Sequence, residues 1–206
     1  MAEGSDPRHS TSRAEQDIRR VVERWAVARD AGLWDELRAT WHDEGRMRAT
    51  WFDGDADAFV AACRQAFDAG VLVHHALAGS LIDVHGDRAV AQTKMSISQR
   101  ADVHGVECDV TCIGRFHDLF ARRDGQWRIV ARQPIYEKDR IDPVDPAAVL
   151  RLDSALLNTF PAGCRHLLYL QSSNGMTVTT DVPALRGREV GALYRSAAEW
   201  LTPPEP

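Results

Sequence analysis

Two residue types in this chain can share a proton. Asp30 closes the run Arg24-Trp25-Ala26-Val27-Ala28-Arg29-Asp30-Ala31-Gly32-Leu33-Trp34, and His74-His75 opens a run that continues Ala76-Leu77-Ala78-Gly79-Ser80-Leu81-Ile82-Asp83-Val84. A carboxylate beside an imidazole gives a base whose pKa sits near neutrality. If the fold joins Asp30 to one of these histidines in an apolar cup, proton transfer becomes the expected chemistry. Strand alternation puts His75 with Leu77, Gly79 and Leu81 on one face and His74 with Ala76 and Ala78 on the other, so a single histidine faces inward. Asp30 also has an ordinary alternative, pairing with Arg29 or Arg24. An acid at a helix C-terminus opposes the helix dipole, a local misfit of the kind functional sites carry.

Further candidates lie later in the chain. Arg115 and His117 share one strand face with Thr111 and Ile113, while Phe116 and Cys112 point the other way. On a concave face Arg115 and His117 would bind a substrate oxygen or supply an acid; on a convex face they would be surface or interface residues. Trp41, Trp51 and Trp127 read as core or pocket wall. His74, His75, His104 and His117 lack metal-ligand spacing with an acidic partner, so no metal is expected. The four cysteines, Cys63, Cys108, Cys112 and Cys164, include no CxxC pair. Cys108 and Cys112 would lie roughly 13 Å apart along a strand, too far for a disulfide. The pattern fits reduced thiols in a cytoplasmic protein. No GxSxG, Walker loop or dinucleotide fingerprint is present.

The elements that must position these residues follow from periodicity. Ile18, Val21, Val22 and Trp25 mark a helix over 14–31 that Gly32 stops. Leu33, Leu37 and Trp41 mark a second helix across a tight turn. A short strand is expected over 46–51. Asp55 caps a third helix over 56–69, with Phe59, Cys63 and Phe67 as its apolar stripe. Strands are then expected over 73–84, 89–101, 107–122 and 126–136, with Gly- and Asp-bearing turns between them. Helices first and strands later indicate an α+β fold with an antiparallel sheet curled around helices. After a Pro-rich linker at 141–146, the chain predicts a helix over 147–160, a hairpin pairing 166–171 with 176–181, and a last helix carrying Val190, Leu193, Tyr194, Ala197 and Leu201. The expected organisation is a disordered lead-in over 1–13, a core domain over 14–140 and an extension over 141–206 that packs on the core, on a dimer mate or over a pocket mouth.

Bulk properties exclude some classes. The 206 residues are 44% hydrophobic and 27% charged, ordinary for a globular protein. A formal charge of −5 argues against a general nucleic-acid binder. No apolar run approaches the ~20 residues of a membrane span, and no apolar signal segment is visible at the N-terminus.

The segment around Asp30 with Gly32-Leu33-Trp34 resembles the N-terminal signature of SnoaL-like proteins of the nuclear transport factor 2-like superfamily. His75 through Gly86-Asp87-Arg88-Ala89, Gly114-Arg115-Phe116-His117-Asp118 and Asp124-Gly125-Gln126-Trp127-Arg128-Ile129-Val130 agree in order and spacing. The resemblance covers about residues 14–140. It implies a cone: a curved antiparallel sheet wrapped by three N-terminal helices around an apolar interior, followed here by an α/β extension. It also implies an Asp–His dyad at Asp30 and His75 that abstracts a proton without a cofactor. The family frame selects His75 over His74.

Relatives include dehydratases, a dehydrochlorinase, isomerases and polyketide cyclases, and also non-catalytic binding or dimerisation modules. The expected activity is therefore a dehydratase-like lyase acting on a small apolar cyclic or aromatic molecule, with an isomerase, a cyclase or a binding module as alternatives. Trp25, Arg115, His117 and Arg132 are the expected substrate-positioning residues, and a homodimer or trimer is the expected assembly. Trp25 stands where many relatives carry Tyr, and indole donates a hydrogen bond but is no acid.

Overall fold

A computed structural model of the chain describes residues 7–202, with side chains described from Thr11 onward. Helix α1 (Pro7–Ala31) leads into α2 (Trp34–Ala39), β1 (Trp41–Arg48), β2 (Asp53–Asp55) and α3 (Ala56–Asp68). Four long strands follow, β3 (Leu72–His85), β4 (Arg88–Val103), β5 (Val106–Arg123) and β6 (Gln126–Pro143). The chain ends in α4 (Ser154–Leu157), α5 (Arg165–Ser173) and α6 (Arg188–Leu201).

The local chemistry explains most of these boundaries. Gly32 adopts φ +71°, the left-handed geometry that stops α1 at low cost. The Asp55 side chain accepts from the Ala58 N–H and starts α3. Asp124 and Gly125 both have positive φ, the pair a tight hairpin between β5 and β6 requires. The expected lead-in falls partly on residues 1–6, outside those described, and α1 already runs from Pro7.

The six-stranded sheet has the order β2-β1-β6-β5-β4-β3 and is open at both edges. β3 to β6 form the antiparallel meander expected from the turns. The sheet as a whole is mixed rather than antiparallel, because β1 runs parallel to β6. The connection between them runs through β2, α3 and the strands β3 to β5. Trp41 is the first residue of β1 and not part of the α2 face.

Two apolar clusters share the concave face of the sheet. One joins α1–α3 to the sheet through Ile18, Trp25, Phe59, Phe116 and Ile129. The other packs α5 against β5 and β6 through Leu167, Leu168, Leu170, Val110, Cys112 and Tyr136. Cys112 and Phe116 stand an even number of residues apart on β5, so both clusters lie on one face.

The extension departs most from expectation. The segment read as a first hairpin strand is helix α5, whose residues Leu167 to Gln171 are all buried. Consecutive buried residues suit a helix with neighbours on several sides, and such a run does not distinguish helix from strand by periodicity. Helix over 147–160 reduces to the single turn of α4, and β6 continues through the first part of the expected linker. The last helix is α6, and it lies on the convex face of the sheet, where Arg88 and Arg115 reach it.

Candidate active site

Asp30 ends α1 one residue before its C-terminus, and His75 stands near the start of β3. Two hydrogen bonds join them: the His75 backbone N–H donates to Asp30 Oδ2 and the His75 ring Nδ1 meets Asp30 Oδ1, each at 2.6 Å. The backbone bond fixes the carboxylate, which then fixes the ring. The His75 side chain is 6% exposed, whereas that of His74 is 75% exposed with its Nδ1 3.7 Å from Asp30. A register shift between Leu77 and Ser80 changes the faces expected further along β3. It turns Ile82 inward and leaves Leu81 64% exposed, so Leu81 does not share the face of His75.

The electrostatics assign the protons. Burial pushes the His75 imidazole below its ordinary value, although the Asp30 hydrogen bond and charge oppose this. Burial pushes the Asp30 carboxyl up, but the hydrogen bonds and charge of His75 outweigh it and hold Asp30 below the ordinary carboxylate value. Near neutral pH the pair is therefore an ionised Asp30 and a neutral His75. Nδ1 carries the proton and donates it to Asp30, which leaves the lone pair on Nε2. Among the described residues no group hydrogen-bonds Nε2.

His75 lines a cavity where the two apolar clusters meet. Its walls include Trp25, Phe59, Phe116 and Ile97, with Tyr136 on β6 and Leu167 and Gln171 from α5. The extension thus closes the cavity of its own chain. The free interior is about 50 Å³. That is room for a few water-sized groups, so a larger ligand must displace wall side chains. Trp25 meets His75 edge-on with ring centroids 5.3 Å apart and meets Phe116 at 5.2 Å. The Trp25 Nε1–H is buried and has no partner among the described residues.

The remaining expected site residues lie elsewhere. Arg132 is fully buried and bonds Asp118 in a two-pronged ion pair, both contacts 2.7 Å. Its guanidinium lies 4.3 Å from the Trp25 ring centroid and 4.0 Å from that of Phe116. Arg132 therefore braces two wall residues and is not itself among the cavity-lining residues. Arg115 and His117 are on the convex face, opposite Phe116. Arg115 bonds Glu137, Gln92 and the Tyr194 hydroxyl of α6, and the His117 ring lies 5.9 Å from that of Tyr194. Both face α6, and neither is among the residues that line the cavity. The convex-face alternative applies because β5 turns Phe116, the apolar member of the pair, toward the core.

Sequence reasoning passed over Gln99, Thr50, Tyr136 and Gln171, all of which line the cavity. Thr50 Oγ1 donates to Gln171 Oε1 at 2.9 Å, and the Thr50 N–H lies 3.3 Å from the Tyr136 hydroxyl. Gln99 carries a faint signal, a polar residue on the inward face of β4 two positions from Ile97. Among the described residues no cluster of three or more His, Cys, Asp or Glu is placed to hold a metal ion, and no helix is long and apolar enough to cross a membrane.

The helices and curved sheet define a fold class, and the comparisons with known proteins agree with it. The SnoaL-like domain family matches residues 10–133, and the chain belongs to that family. Pea pathogenicity protein 2 of Fusarium vanettenii is 33% identical over 196 residues, covering 89% of this chain and 84% of that one. Among solved structures, a candidate scytalone dehydratase from Novosphingobium aromaticivorans superposes with a TM-score of 0.56 at 16% identity, covering 69% of this chain and 99% of that one. LinA superposes with a TM-score of 0.53 at 14% identity, covering 70% and 97%. The likeness to these two is one of fold.

Proposed function

We propose that this protein is a cofactor-independent lyase of the dehydratase type, with His75 as the base and Asp30 as the residue that orients and charges it. The observation that carries this reading is the pair of 2.6 Å hydrogen bonds that hold the His75 ring while Nε2 is left unbonded beside an apolar cavity. Membership of a family that includes dehydratases supports it. In the proposed reaction Nε2 takes a proton from a carbon made acidic by a neighbouring carbonyl or aromatic group. Asp30 stabilises the imidazolium that forms. The imidazolium then returns the proton to a departing hydroxyl, and water leaves as the carbon–carbon double bond forms. This route needs no separate acid, which removes the difficulty raised by Trp25 in place of Tyr. Trp25 and Phe116 position a flat, mostly apolar substrate beside the ring. Isomerisation or cyclisation would use the same base with a different fate for the carbanion.

The test is an assay of water loss across a panel of small cyclic β-hydroxy ketones, with circular dichroism to check the fold of each variant. His75→Ala and Asp30→Asn are each expected to lower turnover roughly 10²- to 10⁴-fold. Undiminished rates in either folded variant would overturn the assignment.

A further inference from the structure

Gln99 is 7% exposed, lines the cavity with His75, and has no side-chain hydrogen bond among the described residues. A carboxamide carries two donors and an acceptor, and those of Gln99 are not sealed in the core but remain accessible. A polar side chain that lines an apolar cavity without a protein partner calls for a reason. The register supplies one. His75 on β3 pairs with Ile97 on β4, and Val73 pairs with Gln99. His75 and Gln99 are therefore diagonal neighbours on one face, with backbones about 7–8 Å apart and side chains long enough to meet one small molecule. A second carboxamide faces the same space: Gln171, 3% exposed, spends its oxygen on Thr50 but has no partner for its amide hydrogens among the described residues. Both groups are uncharged donors, and with the buried Arg29 also in the wall they suit an oxygen that gains negative charge during reaction.

We propose that Gln99 is the oxygen-binding residue of this site and that the substrate is an enolisable carbonyl compound. The Gln99 amide N–H donates to the carbonyl oxygen, while His75 Nε2 removes a proton from the adjacent carbon. The C–H electron pair becomes the carbon–carbon double bond of an enolate, the carbonyl π pair moves onto oxygen, and the charge there is held by the amide. Gln171 supplies a second donor from the roof of the cavity. This rests on the proton-transfer reading for the role of His75, but the recognition of oxygen by Gln99 is separable from it.

The experiment compares two isosteric probes, 4-methylphenol and 1,4-dimethylbenzene, by calorimetric titration. The first presents a hydroxyl where the second presents a methyl group. In the wild type the phenol is favoured relative to the hydrocarbon. In Gln99→Leu that ratio of affinities falls about tenfold, the worth of one good buried hydrogen bond, while hydrocarbon binding and melting temperature hold. Gln99 bonds no protein group among those described, so its replacement breaks no recorded fold contact; Gln171→Leu serves as a second variant with the same expected direction. The ratio survives in His75→Ala, which separates this test from that of the base. A ratio unchanged in Gln99→Leu, or failure of both probes to bind, overturns the proposal. Loss of turnover in His75→Ala with an unchanged Gln99→Leu ratio would leave the base standing and remove Gln99.

Discussion

Trp25 meets His75 edge-on at a centroid distance of 5.3 Å, at an interplanar angle of 81°. The same indole stacks on Phe59 at 6.0 Å and receives the Arg132 guanidinium at 4.3 Å. The residue that walls the proposed base is thus held by a ring stack and a buried cation. Trp25→Ala is expected to destabilise the fold by about 3–5 kcal/mol, the usual cost of removing a buried aromatic side chain. Trp25→Phe should cost clearly less. Urea unfolding of the two variants measures the difference.

In the proposed mechanism His75 sets the acid limb of activity. Its folded-state pKa lies below the ordinary histidine value, chiefly because of burial. The base must be neutral to work, so activity is expected to rise with pH to a midpoint below 6.5 and then stay level through pH 8. Asp30→Asn removes the one interaction that raises His75, so the midpoint should move further down. A titration of the ring by NMR, alongside the pH–rate profile, checks both statements.

Stability should follow the same direction. A depressed folded-state value means that the unfolded chain binds the proton more readily. For His75 the contribution is present above the ordinary histidine value and is lost as pH falls below it. For Asp30, also depressed, the loss comes at lower pH, through the carboxylate range. Acid destabilisation should therefore begin near pH 6 to 6.5 in the wild type, and His75→Phe should shrink that first limb, which His42 and His117, also depressed by burial, share. Melting temperatures recorded between pH 4 and pH 8 decide it.

Arg132 and Asp118 each have fully buried side chains. Removing one partner leaves an uncompensated charge, so Arg132→Met is expected to cost about 3–5 kcal/mol. The double variant Arg132→Met with Asp118→Leu should recover much of that loss, because neither charge then needs a partner. Denaturant midpoints of the two single variants and the double variant form the required cycle.

Arg115 distinguishes the convex-face assignment from the substrate-binding one. Its partners are Glu137 on β6, Gln92 on β4 and Tyr194 on α6, and its side chain is partly exposed. Arg115→Met is expected to cost at most about 1 kcal/mol and to loosen α6 in hydrogen exchange. Turnover should match the wild type; a large fall in turnover would return Arg115 to the site.

How far the sequence discloses all this depends on periodicity. The helix over 14–31 and the four long strands carry strong repeats, and the structure places elements at those positions, although α1 starts at Pro7 and β6 runs on to Pro143. Asp30 and His75 are legible because a helix stop and a strand start bracket them. Arg115 and His117 are not, because alternation groups residues by face without saying which face is concave. Leu81 is misassigned by a register shift that no residue type announces. Helix α5 escapes because a run such as Leu167-Leu168-Tyr169-Leu170, buried throughout, has no polar phase to count. Gln99 and Gln171 escape for a related reason: a glutamine on an apolar face looks like noise until a cavity gives it a purpose.

The cavity roof comes from residues 165–173, while Asp30 and His75 lie in the first half of the chain. During synthesis the dyad can assemble long before Leu167 and Gln171 leave the ribosome. A nascent chain at that stage would hold its base open to water. Activity would therefore arrive late and all at once, when the last third of the polypeptide folds back.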